Sequence, residues 1–183
     1  MNKCVLCSST TNKSNSYNSF IVCDSCYSQQ KSLVKTFADK RTSFNPETAE
    51  IIPNKLYLGN YDFASDLARL KELKITHILA VGEELECQFP GEFVYKKIDL
   101  KDITEDSVLK YVDECNEFIS ASDVVLVHCN ACVSRSPAVV MGFLIGKMHM
   151  KFKEAYYYIK EKRGVVCPNE KFMSELKQLI DNL

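Results

Sequence analysis

From residue 51 onward the chain alternates short apolar runs with longer stripes of helical period. Ile51–Gly59 reads as an opening strand that ends in a turn. Ser65 is placed to cap a helix carrying Leu67, Leu70 and Leu73 at three-residue spacing. Ile75–Val81 is a β-rich run closed by Gly82, and Phe93–Ile98 is another. Ser107–Ser120 carries Val108, Tyr111, Val112, Cys115, Phe118 and Ile119 as a helical stripe. Val124–Val127 is short and valine-rich, as a buried strand is. Ala138–Ile145 is apolar throughout and follows Pro137, which suits the first turn of a helix. Lys153–Lys162 turns Ala155, Tyr156 and Ile159 inward and stops at Arg163-Gly164. Pro168-Asn169 opens a last helix with Phe172, Met173, Leu176, Leu179 and Ile180 on one face. Strands alternating with helices predict an α/β layer fold, and no internal repeat is present.

Residues 1–50 follow a different pattern. Cys4-x2-Cys7 and Cys23-x2-Cys26 are separated by fifteen residues, and Ser8–Asn18 between them is too polar to build a core. Each Cys-x2-Cys turn aims two sulfurs at one point, so the four thiolates predict a closed, tetrahedral, structural zinc site. A module this small needs a metal to fold. Leu33, Val34 and Phe37 mark a helical face between Tyr27 and Lys40, and Thr42–Glu50 with Asn45-Pro46 reads as a linker. The expected organisation is a zinc-binding module with its following helix at 1–40, a linker at 41–50 and a second domain at 51–183. The module carries five lysines against two aspartates, a face that could dock a protein partner.

Composition narrows the class. The 183 residues are 46% hydrophobic with a net charge of −1, so no broad basic surface argues for nucleic acid or an anionic membrane. No apolar run reaches 18 residues, and the first residues lack a signal-peptide core. The expectation is a soluble intracellular protein, cytoplasmic or nuclear, whose nine cysteines serve metal binding and chemistry rather than disulfides.

The chemistry concentrates in His128-Cys129-Asn130-Ala131-Cys132-Val133-Ser134-Arg135-Ser136-Pro137, a turn between the predicted strand and helix. A tight loop entering a helix turns backbone N–H groups toward one spot, and the helix dipole adds positive potential there. Arg135 adds a planar fork that matches two phosphate oxygens. Thiols in such places ionise at about pH 3.5–7.5 rather than about 8.5. Cys129 therefore reads as a thiolate nucleophile beneath a bound phosphate. Cleaving a phosphate ester this way calls for a carboxyl group that protonates the leaving oxygen and then activates water. Asp99, Asp102, Glu105 and Asp106 are all candidates.

His-Cys-x5-Arg-Ser resembles the signature of cysteine-dependent protein phosphatases, and Ser134-Arg135-Ser136-Pro137 looks like their dual-specificity branch. The likeness covers about 51–183 and includes Ile51–Gly59 and Pro168-Asn169. It implies a central mixed sheet flanked by helices, with the active loop at a strand's C-terminal end. It implies hydrolysis of phosphotyrosine and phosphoserine/threonine in phosphoproteins, with no metal needed for the chemistry. It puts the acid four residues beyond Ile98, at Asp102, with Asp99 as the alternative. Backbone N–H groups from Asn130 through Ala131, Cys132, Val133 and Ser134 to Arg135 would bind the phosphate oxygens. Ser136 would assist the departure of sulfur, His128 would order the loop, and Asn169 would hydrogen-bond near it. Phosphoinositide-directed relatives carry extra basic residues in the loop, and this loop has no lysine. Cys132 departs from the family's usual glycine. It could strain the loop and leave a phosphoprotein-binding module with impaired turnover, or pair with Cys129 in a reversible disulfide.

Overall fold

The computed structural model describes residues 47–179 continuously, together with residues 2–3, 10–11, 15–17, 20–25 and 28. In the N-terminal part, β1 (Asn2–Lys3) pairs antiparallel with β2 (Thr10–Thr11), and β3 (Asn15–Tyr17) with β4 (Phe20–Val22). Cys23 is half-buried and packs against the main core of the chain. Cys4, Cys7 and Cys26 lie outside the described residues, as do the expected helical face at Leu33, Val34 and Phe37 and the Asn45-Pro46 linker turn.

The principal sheet has five strands: β5 (Thr48–Ile52), β6 (Leu56–Gly59), β7 (His77–Val81), β8 (Val94–Ile98) and β9 (Val125–His128). Their order is β5-β6-β9-β7-β8. β5 runs antiparallel at one edge, and the other four strands are parallel. The mixed α/β sheet matches the expectation, but its first edge differs in two ways. The single strand read over Ile51–Gly59 is a hairpin, because Pro53 cannot donate to a ladder and Asn54 adopts a left-handed φ of 54°. The pairing also begins at Thr48, three residues inside the stretch read as linker.

Alternation along the parallel strands decides what each face buries. Leu58, Leu79, Val81, Val125 and Val127 enter the main core, while Tyr57, Ile78 and Leu126 face a smaller second core. The second core is covered by α1 (Tyr61–Ala64) and α2 (Leu67–Glu72) through Phe63, Ala64 and Leu70. Here the reading of Ser65 as a cap is corrected. Ser65 closes α1, a one-turn helix that no periodicity announces, and Asp66 caps α2 by accepting from the Arg69 amide at 3.2 Å.

The main core lies under α3 (Leu109–Ala121), α4 (Arg135–Gly146), α5 (Phe152–Lys162) and α6 (Glu170–Gln178). Every residue of α4 from Ser136 to Ile145 is buried, so it is the central helix of that layer, flanked by the other three. Because four strands run parallel, their C-terminal ends share one edge of the sheet. The segments after β6, β7, β8 and β9 therefore meet there, with β9 innermost. Among the described residues no helix is long and apolar enough to cross a membrane.

Candidate active site

β9 delivers His128 and Cys129 to that edge, and the chain reverses through residues 130–134 into α4, which begins at Arg135. The loop's carbonyls are tied away from its hollow. Asn130 O accepts from the Tyr61 amide at 2.9 Å, Val133 O from the Cys167 amide at 2.7 Å, and Ser134 O from the Ala138 amide at 3.0 Å. Cys132 O faces the buried Arg163 guanidinium, with Nε at 3.5 Å. In a trans peptide the carbonyl of one residue and the N–H of the next point in opposite directions. Anchoring these carbonyls outward thus turns the amides of Ala131, Val133, Ser134 and Arg135 inward, where an anion would lie.

Cys132 occupies the position where a glycine suits the turn, and its φ is +55°. A side chain in that conformation costs about 1–2 kcal/mol. The side chain is fully buried in the main core, which offsets part of the cost. Burial pushes its thiol up to about 12, so it stays protonated at neutral pH and does not offer a second nucleophile. Cys129 and Cys132 are both free thiols, and both interact with the Ser136 hydroxyl.

Cys129 lies on the floor of the loop, and Ser136 Oγ donates to its Sγ at 3.1 Å. Asp102 reaches the rim from the segment after β8. Its Oδ1 accepts from Ser134 Oγ at 2.6 Å and from Asn169 Nδ2 at 2.9 Å. The Asn169 amide in turn donates to Ser134 Oγ at 3.0 Å, and Asn169 Oδ1 caps α6 by accepting from the Phe172 amide at 2.9 Å. Both donors fall on Oδ1, so Oδ2 stands outside this pair of hydrogen bonds. Asp99 is exposed and lies 3.7 Å from Lys97, outside this network. Asp106 is occupied by the Lys101 and Ser107 amides and by Lys110, which hold its carboxyl below the usual carboxylate range against the opposing pull of burial. Glu105 is exposed, and of the four carboxylates open on sequence grounds Asp102 is the one hydrogen-bonded to the loop, through Ser134.

Two participants were not read from the sequence. Tyr61, after β6, braces the loop through its amide, and its ring centroid lies 6.5 Å from that of His128. Glu84, after β7, binds Arg135. The available signal was positional: each stands within three residues of the C-terminal end of a strand in a parallel sheet.

His128 is buried, and its Nδ1 has no hydrogen-bond partner among the described residues. Burial lowers its pKa to about 4, against a smaller opposite pull from the Cys129 backbone. It is neutral in the folded chain at pH 7. The unfolded chain takes up this proton near pH 6.5. Folding stability should therefore be intact above that pH and fall by up to about 3 kcal/mol as the pH drops toward 4. Denaturant melts from pH 7 to 4 should show this fall and lose it in His128→Phe. An equal slope in both proteins would contradict it.

Comparison with known proteins agrees with this geometry. The family profile described as dual specificity phosphatase, catalytic domain, matches residues 56–182. The mouse dual specificity protein phosphatase 19 is 44% identical over 131 residues, which are 69% of this chain and 60% of that protein. The chain thus spans about three fifths of that relative's length. Dual specificity protein phosphatase 1 of Arabidopsis thaliana is 35% identical over 155 residues, 82% of this chain and 78% of its own length. Among solved structures, the human tyrosine phosphatase-like serine/threonine/tyrosine-interacting protein superposes with a TM-score of 0.69 at 32% identity, covering 73% of this chain and 95% of that one. DUSP15 superposes with a TM-score of 0.69 at 29% identity, covering 73% and 87%. With the loop, its anchored carbonyls and this span of similarity in place, the chain belongs to the dual specificity phosphatase catalytic-domain family.

Proposed function

We propose that the chain is a protein phosphatase that hydrolyses phosphotyrosine and phosphoserine/threonine through a cysteinyl-phosphate intermediate. The observation that carries this reading is the convergence of Cys129, an inward-facing amide cradle and a tethered Asp102 at one edge of the sheet. The Cys129 thiolate attacks phosphorus, and the phosphorus–oxygen bond to the leaving group breaks. The leaving oxygen takes the proton from Asp102 Oδ2. In the second step Asp102, now a carboxylate, takes a proton from water as that water attacks the thiophosphoryl group. Inorganic phosphate leaves, and the sulfur departs as thiolate, stabilised by the Ser136 hydroxyl that already donates to it. Arg135 and the loop amides oppose the charge that spreads over the equatorial oxygens in both transition states.

The test is turnover of phosphotyrosine and phosphothreonine peptides by reduced protein without added metal. Release of phosphate from both classes is expected; release from neither removes the enzyme reading. One alternative is favoured by the left-handed Cys132 and by the similarity to a protein named phosphatase-like: a module that binds phosphoproteins without turnover. Saturable phosphopeptide binding with no phosphate release from freshly reduced protein would establish that alternative.

We propose further that Cys4, Cys7, Cys23 and Cys26 hold one structural zinc ion in a module available to a protein partner. Four soft thiolate donors in two Cys-x2-Cys pairs fit that ion's preference for a closed tetrahedral site. Elemental mass spectrometry of the purified chain should find about one zinc per molecule. The metal should be lost from Cys4→Ser; a metal-free wild type, or zinc retained in Cys4→Ser, would contradict the assignment.

A further inference from the structure

Arg135 is gripped from one side. Glu84 meets its guanidinium end-on, with Nη1 to Oε2 at 2.8 Å and Nη2 to Oε1 at 2.6 Å. A guanidinium has two edges able to form paired hydrogen bonds: Nη1 with Nη2, and Nε with Nη2. Glu84 takes the first. Nε donates to nothing among the described residues, so the second edge is left for an anion. The grip also fixes the plane of the group, because two parallel hydrogen bonds to a carboxylate prevent it from turning about its long side chain.

The backbone makes room for this contact. Gly82 sits between β7 and Glu84, and a Cβ built on it would lie 2.4 Å from Arg135 Nη1 and 2.8 Å from Glu84 Oε2. No side chain fits at residue 82 while the ion pair is in place. The Arg135 contact in turn draws the Glu84 carboxyl below the usual carboxylate range, mainly through the hydrogen bond itself. The arrangement is non-local: 51 residues separate the two partners.

We propose that Glu84 is the positioning residue for Arg135, fixing the guanidinium so that its Nε–Nη2 edge serves phosphate, and that Gly82 is side-chain-free to admit the pair. This rests on the phosphatase reading, because it assigns a purpose to Arg135 within that chemistry. Glu84 touches no reacting atom and acts through Arg135.

The experiment compares wild type with Glu84→Gln, Glu84→Ala and Gly82→Ala. It measures orthovanadate affinity by calorimetry, kcat and KM on an aryl phosphate, and the thermal midpoint. Gln keeps one acceptor for the guanidinium and Ala keeps none, so oxyanion affinity should fall in the order Glu, Gln, Ala. The Ala variant should be weaker by about tenfold or more, the scale of a charge-assisted hydrogen bond. Gly82→Ala should fall as well, since its Cβ meets the ends of the Arg135 and Glu84 side chains. Its φ of +155° strains any side chain there, so its thermal midpoint should also drop and the Glu84 variants decide the proposal. Where turnover is present, KM should rise and kcat should fall together. A merely structural role would lower the thermal midpoint and leave the affinity of the folded fraction unchanged. Unchanged orthovanadate affinity in Glu84→Ala overturns the proposal. Tighter binding also overturns it, since Glu84 would then be competing with the anion for the fork. The calorimetric arm decides the point without turnover, so a failed phosphatase reading and a failed positioning role give different results.

Discussion

Cys129→Ser is expected to lower kcat/KM on aryl phosphates by at least about 10⁴-fold, the scale seen when a covalent nucleophile is removed. A serine hydroxyl needs a base to become a nucleophile, and the site supplies none beside it. His128 is neutral, buried and held near a pKa of about 4, so it is a poor proton acceptor at neutral pH. Ser136 is the side chain that meets the sulfur, and it donates rather than accepts. The substitution should leave the cradle intact, because oxygen is smaller than sulfur and the loop is held by carbonyls anchored to Tyr61, Cys167 and α4. Phosphopeptide affinity should therefore stay within about threefold of wild type while turnover disappears, which separates a lost nucleophile from a lost fold. Turnover persisting in Cys129→Ser at the wild-type rate would exclude the cysteinyl-phosphate pathway.

That prediction draws on a stretch which is contiguous in the sequence. The residues proposed as nucleophile, amide cradle and phosphate-binding arginine all lie between His128 and Ser136, so the proposal for them draws on local sequence and needs no topology. The valine-rich strand before them and the apolar helix after them were equally plain, since a centrally placed element is buried on every side and carries few polar interruptions. Local turn chemistry was less legible. Ser65 and Asp66 are adjacent and both suit a helix start, and only the one-turn α1 ahead of them assigns Ser65 to an end and Asp66 to a beginning. At Pro53-Asn54 an apolar run on both sides of a turn looks like one strand until the hairpin partner is seen.

What the sequence does not display is the work of topology. Glu84 is one of several acidic residues after β7, and nothing in its neighbourhood singles it out. It matters because β7 lies beside β9 in a parallel pairing, which brings the two strand ends together. Asn169 is similar. A cap and a site residue look alike in sequence, and here Oδ1 closes α6 while Nδ2 and the backbone amide bind Asp102 and Ser134. Choosing Asp102 over Asp99 needed the family resemblance first. In the fold Asp102 accepts two hydrogen bonds, from Ser134 and Asn169, whereas Asp99 meets solvent and Lys97.

The second large effect is expected at Asp102, and it should depend on the leaving group. Asp102→Asn preserves shape and keeps an oxygen for Ser134 Oγ and Asn169 Nδ2, whose two donors fix the amide with its carbonyl toward them. The amide nitrogen then stands where Oδ2 stood, and it has no proton to transfer. A phenolate with a low pKa leaves without protonation, whereas a serine or threonine alkoxide does not. General acid catalysis of this kind is worth about 10²–10⁴-fold. The loss in kcat/KM should approach the upper end of that range on phosphoserine and phosphothreonine peptides and shrink steadily on aryl phosphates of falling leaving-group pKa. In a series of substituted aryl phosphates, the dependence of log kcat/KM on leaving-group pKa should be steep for Asp102→Asn and shallow for wild type. Asp99→Asn should follow the wild-type line, because its carboxylate meets Lys97 and lies outside the Ser134–Asn169 network. Parallel lines for Asp102→Asn and wild type would mean that the proton comes from elsewhere. A steep line for Asp99→Asn would move the acid three residues upstream and leave the Ser134–Asn169 tether a structural clasp.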